Sequence, residues 1–177
     1  MKILIASDIH GSNYYTKKLA KVIDNENIDK IILLGDIYYH GPRNKFPRGY
    51  APMKVAETLN KYIDKLTCIK GNCDAEVDQM ISKFKFEDSL SLSIKNKNFL
   101  FTHGHKLDFE NLPKAFDFIF AGHTHISSIK EFGNTFYINP GSISLPKENS
   151  KNSYAIIDDS SILICDFKGT ILHQLNF

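Results

Sequence analysis

Residues 1–36 read MKILIASDIHGSNYYTKKLAKVIDNENIDKIILLGD, and this stretch decides the architecture. Two short apolar runs, Ile3-Leu4-Ile5-Ala6 and Ile31-Ile32-Leu33-Leu34, bracket residues 12–26, where Tyr15, Leu19, Val22 and Ile23 follow helical spacing. Unbroken apolar runs of this length suit strands buried on both faces, and a strand–helix–strand order makes such strands parallel. Ser12 or Asn13 can cap the start of the helix. Each strand ends on polar groups flanked by small residues: Asp8 and His10 after the first, Asp36 behind Gly35 after the second. Open α/β proteins place their sites at this edge of the sheet.

Working outward, a polar segment from Ile37 to Pro52 holds three of the six prolines and both arginines, Arg43 and Arg48. A loop longer than ~12 residues inside a compact domain is uncommon and often functional. Val55, Ala56, Leu59 and Tyr62 predict a helix over 53–62, and 65–70 a third buried strand, which completes a βαβαβ order. After residue 84 the pattern changes. Leu90, Leu92 and Ile94 alternate with serines, and Asn96-Lys97-Asn98 can turn the chain into Phe99-Leu100-Phe101. Further strands are expected at 117–121, 127–132, 135–138, 153–158, 161–167 and 170–175, with turn chemistry at Asp159-Ser160 and Lys168-Gly169. Helices early and strands late predict an α/β chain of two sheets packed face to face, with helices outside. At 177 residues without repeats or linkers, one domain spanning 1–177 is expected.

Hydrophobic content of 42% and charged content of 24% are those of an ordinary globular chain. A formal net charge of +2 with scattered Lys and Arg gives no reason to expect nucleic-acid binding. Cys68, Cys73 and Cys165 form no regular spacing, which argues against a disulfide framework and for a reducing compartment. The N-terminal apolar stretch stops at Asp8, too short for a signal peptide, and no segment approaches the ~20 apolar residues of a membrane span. A cytoplasmic location without membrane contact is expected.

The polar groups that follow strands carry the chemistry. Asp8 and His10, two residues apart, point to the same side of an extended segment, although alone they would read as an exposed acid and a capping histidine. Asp36 follows a buried run without a polar break, where a carboxylate is costly unless it is paired or binds metal. It is the choice for a carboxylate shared by two ions ~3.5–4 Å apart. In Gly71-Asn72-Cys73-Asp74, Asn72 can offer an amide oxygen to a hard cation, while Asp74 can cap a helix at about residue 75. His103 and His105, then His123 and His125, form two HxH pairs directly after apolar strands. Four imidazoles in that arrangement are hard to explain as core packing or solvated surface. Asn139-Pro140-Gly141-Ser142 alone predicts only a tight turn. Asp8, His10, Asp36, Asn72, His103, His123 and His125 are too many donors for one ordinary site and about right for two first-row divalent ions.

These motifs, D-x-H at 8–10, G-D at 35–36, G-N-x-D at 71–74, H-G-H at 103–105 and G-H-T-H at 122–125, resemble the calcineurin-like metallophosphoesterases. GDIYYHGPRN at 35–44, GYAP at 49–52, GNCDAEVDQM at 71–80, ENLP at 110–113 and NPGSIS at 139–144 look most like the small YfcE-type phosphodiesterases. The likeness runs in motif order along the whole chain. It implies a four-layer αββα sandwich of two mixed sheets flanked by helices. It also implies Asp8, His10 and His125 on one ion, Asn72, His103 and His123 on the other, and Asp36 between them. His105 would stand behind the ligands or coordinate through its backbone.

The implied activity is metal-dependent hydrolysis of a small-molecule phosphodiester by a hydroxide shared between two ions. Mn²⁺ is the first choice, with Ni²⁺, Zn²⁺, Fe²⁺ and Co²⁺ compatible. Asp8, Asp36 and that hydroxide remove three of four positive charges, leaving about one to attract an anionic ester. Asn72, Cys73, Asp74, Arg43 and His40 are the candidates for the reaction itself. Larger superfamily members place a His directly after the Asn, where it can protonate the leaving oxygen. Cys73 stands there in this chain, and a thiol of pKa ~8.5 is a poor substitute, so good leaving groups are expected to be preferred. His40, Arg43 and Asn44 can contact the phosphate or shape the 37–52 loop. The rival readings are a phosphomonoesterase on the same site, a nuclease, and a protein-binding scaffold such as the related retromer subunit. Homo-oligomerisation stays open.

Overall fold

The computed structural model describes residues 1–177. Strand β1 (Ile3–Ala6) is wholly buried, and the chain leaves it through Asp8 and His10 into helix α1 (Asn13–Asn25). Ser12 is the N-cap: its side chain accepts from the Tyr15 N–H and donates to Arg48 O at 2.7 Å, so one residue starts the helix and holds the long loop. Strand β2 (Lys30–Leu33) returns parallel to β1, with Ile3 opposite Lys30 and Ala6 opposite Leu33. Helix α2 (Pro52–Leu59) starts on proline, whose missing N–H costs nothing in a first turn. The helix expected over 53–62 ends early: Asn60–Lys65 is 3₁₀, with Tyr62 outside helical φ/ψ.

Strand β3 (Leu66–Ile69) lies parallel to β2. A two-residue strand β4 (Phe86–Glu87), absent from the sequence reading, extends the sheet edge. In the hairpin of β5 (Leu90–Ile94) and β6 (Lys97–Thr102), the turn is Lys95-Asn96 rather than Asn96-Lys97-Asn98. Both turn residues have positive φ, 49° and 61°, and a two-residue turn of this hand matches the strand twist. Strands β7 (Phe118–Ala121), β8 (Ser128–Phe132), β9 (Thr135–Asn139), β10 (Ser153–Ile157), β11 (Ser161–Asp166) and β12 (Ile171–Asn176) follow close to their expected places.

Two mixed sheets result. The first has seven strands in the order β12-β11-β10-β1-β2-β3-β4, and the second has five in the order β5-β6-β7-β9-β8. Alternation along the strands builds the layers. Ile3, Ile5, Ile32, Leu34 and Ile69 of the first sheet face Phe99, Phe101, Phe118, Phe120 and Ile138 of the second. Phe99, Phe101 and Phe120 are fully buried, each contributing ~2–3 kcal/mol by removal from water. Leu4, Ala6, Ile31 and Leu33 face the other way and pack against Leu19 and Ile23 of α1 and Val55, Ala56 and Leu59 of α2. Both α-helices therefore cover the seven-stranded sheet. On the outer face of the other sheet, Ile119, Ala121 and Tyr137 are covered by Leu107, Leu112 and Phe116 from the irregular segment before β7. No helix is long and apolar enough to cross a membrane.

Candidate metal centre

The loops leaving β1, β2, β3, β6 and β7 open at one end of the two sheets. Five of the candidate ligands on them have positive φ: Asp8 at 56°, His10 at 49°, Asp36 at 56°, His123 at 65° and His125 at 63°. Non-glycine residues adopt this region uncommonly, and such strain concentrates at functional sites. Here it turns each side chain back toward a common point instead of along its strand. The Asp36 and Asn72 loops touch back to back. A Cβ on Gly35 would lie 2.5 Å from Gly71 N, and one on Gly71 would collide with the Asp36 carboxylate.

The side chains converge. One oxygen or ring nitrogen from each of Asp8, His10 and His125 lies within 4.8 Å of the others, and the same holds for Asp8, Asp36 and His103. His10 Nε2 is 3.6 Å from Asp36 Oδ2, and His103 Nε2 is 3.5 Å from Asp36 Oδ1, so Asp36 stands between two imidazoles. Asn72 Oδ1 is 3.0 Å from His103 Nε2, and the His123 ring centroid is 5.3 Å from that of His103. All seven candidate ligands thus meet in one place. His105 is exposed beyond them, its ring centroid 5.3 Å from that of His103.

Proton placement shows what the cluster wants. The Nδ1 atoms of His10, His103 and His125 face the backbone carbonyls of Tyr39, Leu34 and Leu145 at 2.7, 2.6 and 2.6 Å. A carbonyl only accepts, so each Nδ1 must carry the proton, and in a neutral ring Nε2 is left as a bare lone pair. Were both rings neutral, His10 Nε2 and His125 Nε2 would face each other at 3.2 Å as two acceptors. The fully buried Asp8 Oδ1 has no hydrogen-bond partner and lies 3.3 Å from His125 Nε2. Converging acceptors without donors repel unless a cation sits among them, and a backbone-anchored Nδ1 is the usual second contact of a metal-bound imidazole. The residues fit a pair of divalent ions.

Electrostatics agree. Burial pushes the Asp8 carboxyl up, but His10 and His125 outweigh it and hold Asp8 well below the usual carboxylate range. Burial pulls His10 down, yet Asp8 raises it above its ordinary value. Without ions the cluster recruits protons in their place, so metal and proton compete there. Burial and the neighbouring His103 lower His123, which keeps its imidazole neutral and able to ligate.

Two features behind the candidate ligands set their places. Asp74 does not cap the segment after it; the short 3₁₀ turn at Glu76–Met80 is begun by Asp78, which accepts from the Ala75 N–H at 2.8 Å. Asp74 reaches back instead, accepting from the N–H groups of Asp36, Gly71 and Ile37 at 2.7, 2.7 and 2.8 Å. Burial outweighs these donors and, helped by the charge of Asp36, pushes Asp74 up to about 6. Asp74→Asn keeps the shape but sets an NH₂ against a donor. The expected cost is ~1–3 kcal/mol, or roughly 3–10 °C in Tm for a chain of this length. An unchanged Tm in a thermal melt would contradict this role.

The second is the NPGS turn. Ser142 and Ser144 hydroxyls donate to Asp8 O at 2.7 and 3.0 Å, and Asn139 Nδ2 donates to Gly122 O at 2.7 Å. The turn thereby fastens the Asp8 loop to the His123 loop. Sequence reading saw only its tightness, because the partners of these serines lie over a hundred positions away.

A cleft of about 350 Å³ opens over the ligands, lined among others by Tyr39, Arg43, Asn44, Cys73 and Lys147. Arg43 and Asn44 thus face the site from the long loop. His40 does not line the cleft; its ring packs among Tyr39, Phe46 and Tyr50 at 4.8, 4.4 and 5.5 Å between centroids, which stiffens the loop. Lys147 was not foreseen, since nothing distinguishes it from other surface lysines.

Residues 1–161 match the Calcineurin-like phosphoesterase superfamily domain. The chain belongs to this superfamily. This phosphoesterase is 41% identical over 167 residues to Phosphodiesterase YfcE of Escherichia coli K12, covering 93% of this chain and 91% of the relative. The solved structure of Escherichia coli YfcE superposes with a TM-score of 0.95 over 99% of both chains, at 36% identity across the longer alignment. Vps29 of Chaetomium thermophilum superposes with a TM-score of 0.67 at 15% identity, covering 100% of this phosphoesterase and 98% of that chain. At that identity the likeness is one of fold alone.

Proposed function

We propose that the chain is a metal-dependent phosphodiesterase, a phosphoric diester hydrolase acting on small-molecule diesters at a dinuclear centre, with Mn²⁺ as its ion. The carrying observation is the convergence on one point of backbone-anchored imidazole Nε2 atoms and buried carboxylate oxygens. Asp8, His10 and His125 would hold one ion, Asn72, His103 and His123 the other, and Asp36 both. When bound, two divalent ions supply an activated water at neutral pH and neutralise charge on the phosphoryl group. The chain's own part is positional. Backbone carbonyls fix the imidazole tautomers, Asp74 fixes the Asp36 and Gly71 amides, and Arg43, Asn44 and Lys147 offer donors to phosphoryl oxygens from the cleft wall. All 177 residues act as one unit in this reading, and the three unpaired thiols suit the cytoplasm.

Cys73 shapes the substrate range. Its half-buried thiol is pushed up to about 12 by burial and by Asp36, so it holds its proton and is a weak acid for a departing alkoxide. Good leaving groups, such as nitrophenolate, need no such acid. Cys73→His is expected to raise turnover of a poorly activated alkyl diester by about tenfold or more, within the range of general-acid catalysis, at unchanged metal content. No gain would remove this account of Cys73.

Hydrolysis of bis-p-nitrophenyl phosphate against p-nitrophenyl phosphate, with Mn²⁺ and with a chelator, tests the main reading. Diester cleavage that chelation abolishes is expected. Faster monoester cleavage would favour a phosphomonoesterase, and inactivity with every divalent ion would favour a scaffold. The full ligand set counts against a scaffold, which has no need to keep it.

A further inference from the structure

Asn72 borders two depressions. Beyond the cleft with Arg43 lies a second one, of about 420 Å³, lined by Lys70, Gly71, Asn72, Asp74, Asp88, Thr102, His105 and Lys106. None of its lining residues is hydrophobic. Its floor is rigid. Lys70 directly follows β3, with its N–H donating to Glu87 O of β4 at 2.8 Å, and Thr102 ends β6. Asp74 is spent on three backbone amides and offers little free charge. That leaves Lys70 and Lys106 against Asp88, an excess of one positive charge around a polar hollow large enough for a small-molecule group.

A monoester has one organic arm and a diester two. His10, Asp36, His123 and His125 line the first cleft, while Asn72 and Asp74 line both, so the two hollows meet beside the candidate ligands. Resting on the phosphodiesterase reading above, we propose that the Lys70–Lys106 cleft receives the second ester arm of the substrate, and that this arm carries its own anionic group, a carboxylate or a phosphate. Its lack of apolar lining disfavours a lipid or bare aryl arm, and its charge disfavours a cationic one. Substrates are then small diesters with a second acidic group a few bonds from the scissile phosphorus.

The test compares kcat/KM for p-nitrophenyl phosphodiesters whose other arm is a carboxypropyl, a phosphopropyl, a butyl or a trimethylammoniopropyl chain. The anionic arms are expected to exceed the butyl arm by about tenfold, a difference of ~1.4 kcal/mol, and the cationic arm to fall below it. In a Lys70→Ala, Lys106→Ala double variant the anionic-to-butyl ratio is expected to drop toward one. A ratio near one in the wild type, a cationic preference, or a ratio that survives the double variant would each overturn the proposal. A protein that cleaves none of the four would instead remove the phosphodiesterase reading. Independently of turnover, inorganic phosphate added to chelated protein is expected to move the backbone amide NMR signals of Lys70 and residues 104–106. Movement confined to residues 41–44 and Lys147 would contradict the second cleft. If carboxypropyl and phosphopropyl differ, the faster one names the acidic group.

Discussion

Asp36→Asn is expected to lower kcat/KM for bis-p-nitrophenyl phosphate at least about a thousandfold, the ~4 kcal/mol expected when a carboxylate shared by two ions is lost. The rise in Tm on adding Mn²⁺ is expected to shrink as well, because the shared ligand is weakened. Asp36 Oδ1 accepts from the Cys73 N–H at 2.8 Å, and an asparagine oxygen keeps that bond, so the metal-free fold is expected to change little. Oδ2 lies 3.6 Å from His10 Nε2, beyond hydrogen-bond reach, and its charge helps to raise His10. Calorimetry of both proteins, with and without Mn²⁺, checks the difference. Equal losses of stability in both states would mean that Asp36 is merely structural.

Gly71→Ala is expected to do almost as much damage by touching Asp36 from behind. The new methyl would meet the Asp36 carboxylate and lie 2.5 Å from the Asp36 backbone N. Neither can retreat. Asp36 N is tied to Asp74 at 2.7 Å, and behind it stands Gly35, itself packed against Gly71. Overpacking of a tight contact costs ~1–3 kcal/mol. Activity should suffer more than stability, because a shift of about 1 Å in a catalytic constellation can cost ~10²-fold. The expected pattern is a modest fall in Tm with at least a hundredfold loss of kcat, measured on Mn²⁺-loaded protein. Near-normal turnover would mean that the two loops have slack that the geometry denies them.

The sheet cores were legible because buried strands write themselves as unbroken apolar runs, as in Ile31–Leu34, and α1 because Leu19 and Ile23 keep the helical period. The candidate ligands were legible for a related reason: a polar group directly after such a run has nowhere to go except the sheet edge. What stayed hidden depends on contacts between distant residues. Asp74 looked like a local cap, the commonest use of an Asp before a turn, yet its partners include backbone amides at 36 and 37. The break of the second helix at Asn60 was equally invisible. Asn60 Oδ1 accepts from the Lys83 N–H at 2.8 Å and its Nδ2 donates to Ile81 O at 2.9 Å, bonds to a segment some twenty residues on. Strand β4 is only two residues long, below any useful period. The positive φ angles of the ligands are set by tertiary anchors, such as His123 N–H on Asp8 Oδ2 at 3.1 Å, and leave no mark in composition.

Counting and placing the ions in crystals soaked with Mn²⁺, by elemental analysis together with anomalous scattering, tests the centre most directly. Two anomalous peaks per chain are expected, ~3.5–4 Å apart with the Asp36 carboxylate between them. A single peak away from Asp36, or none, would contradict the dinuclear centre.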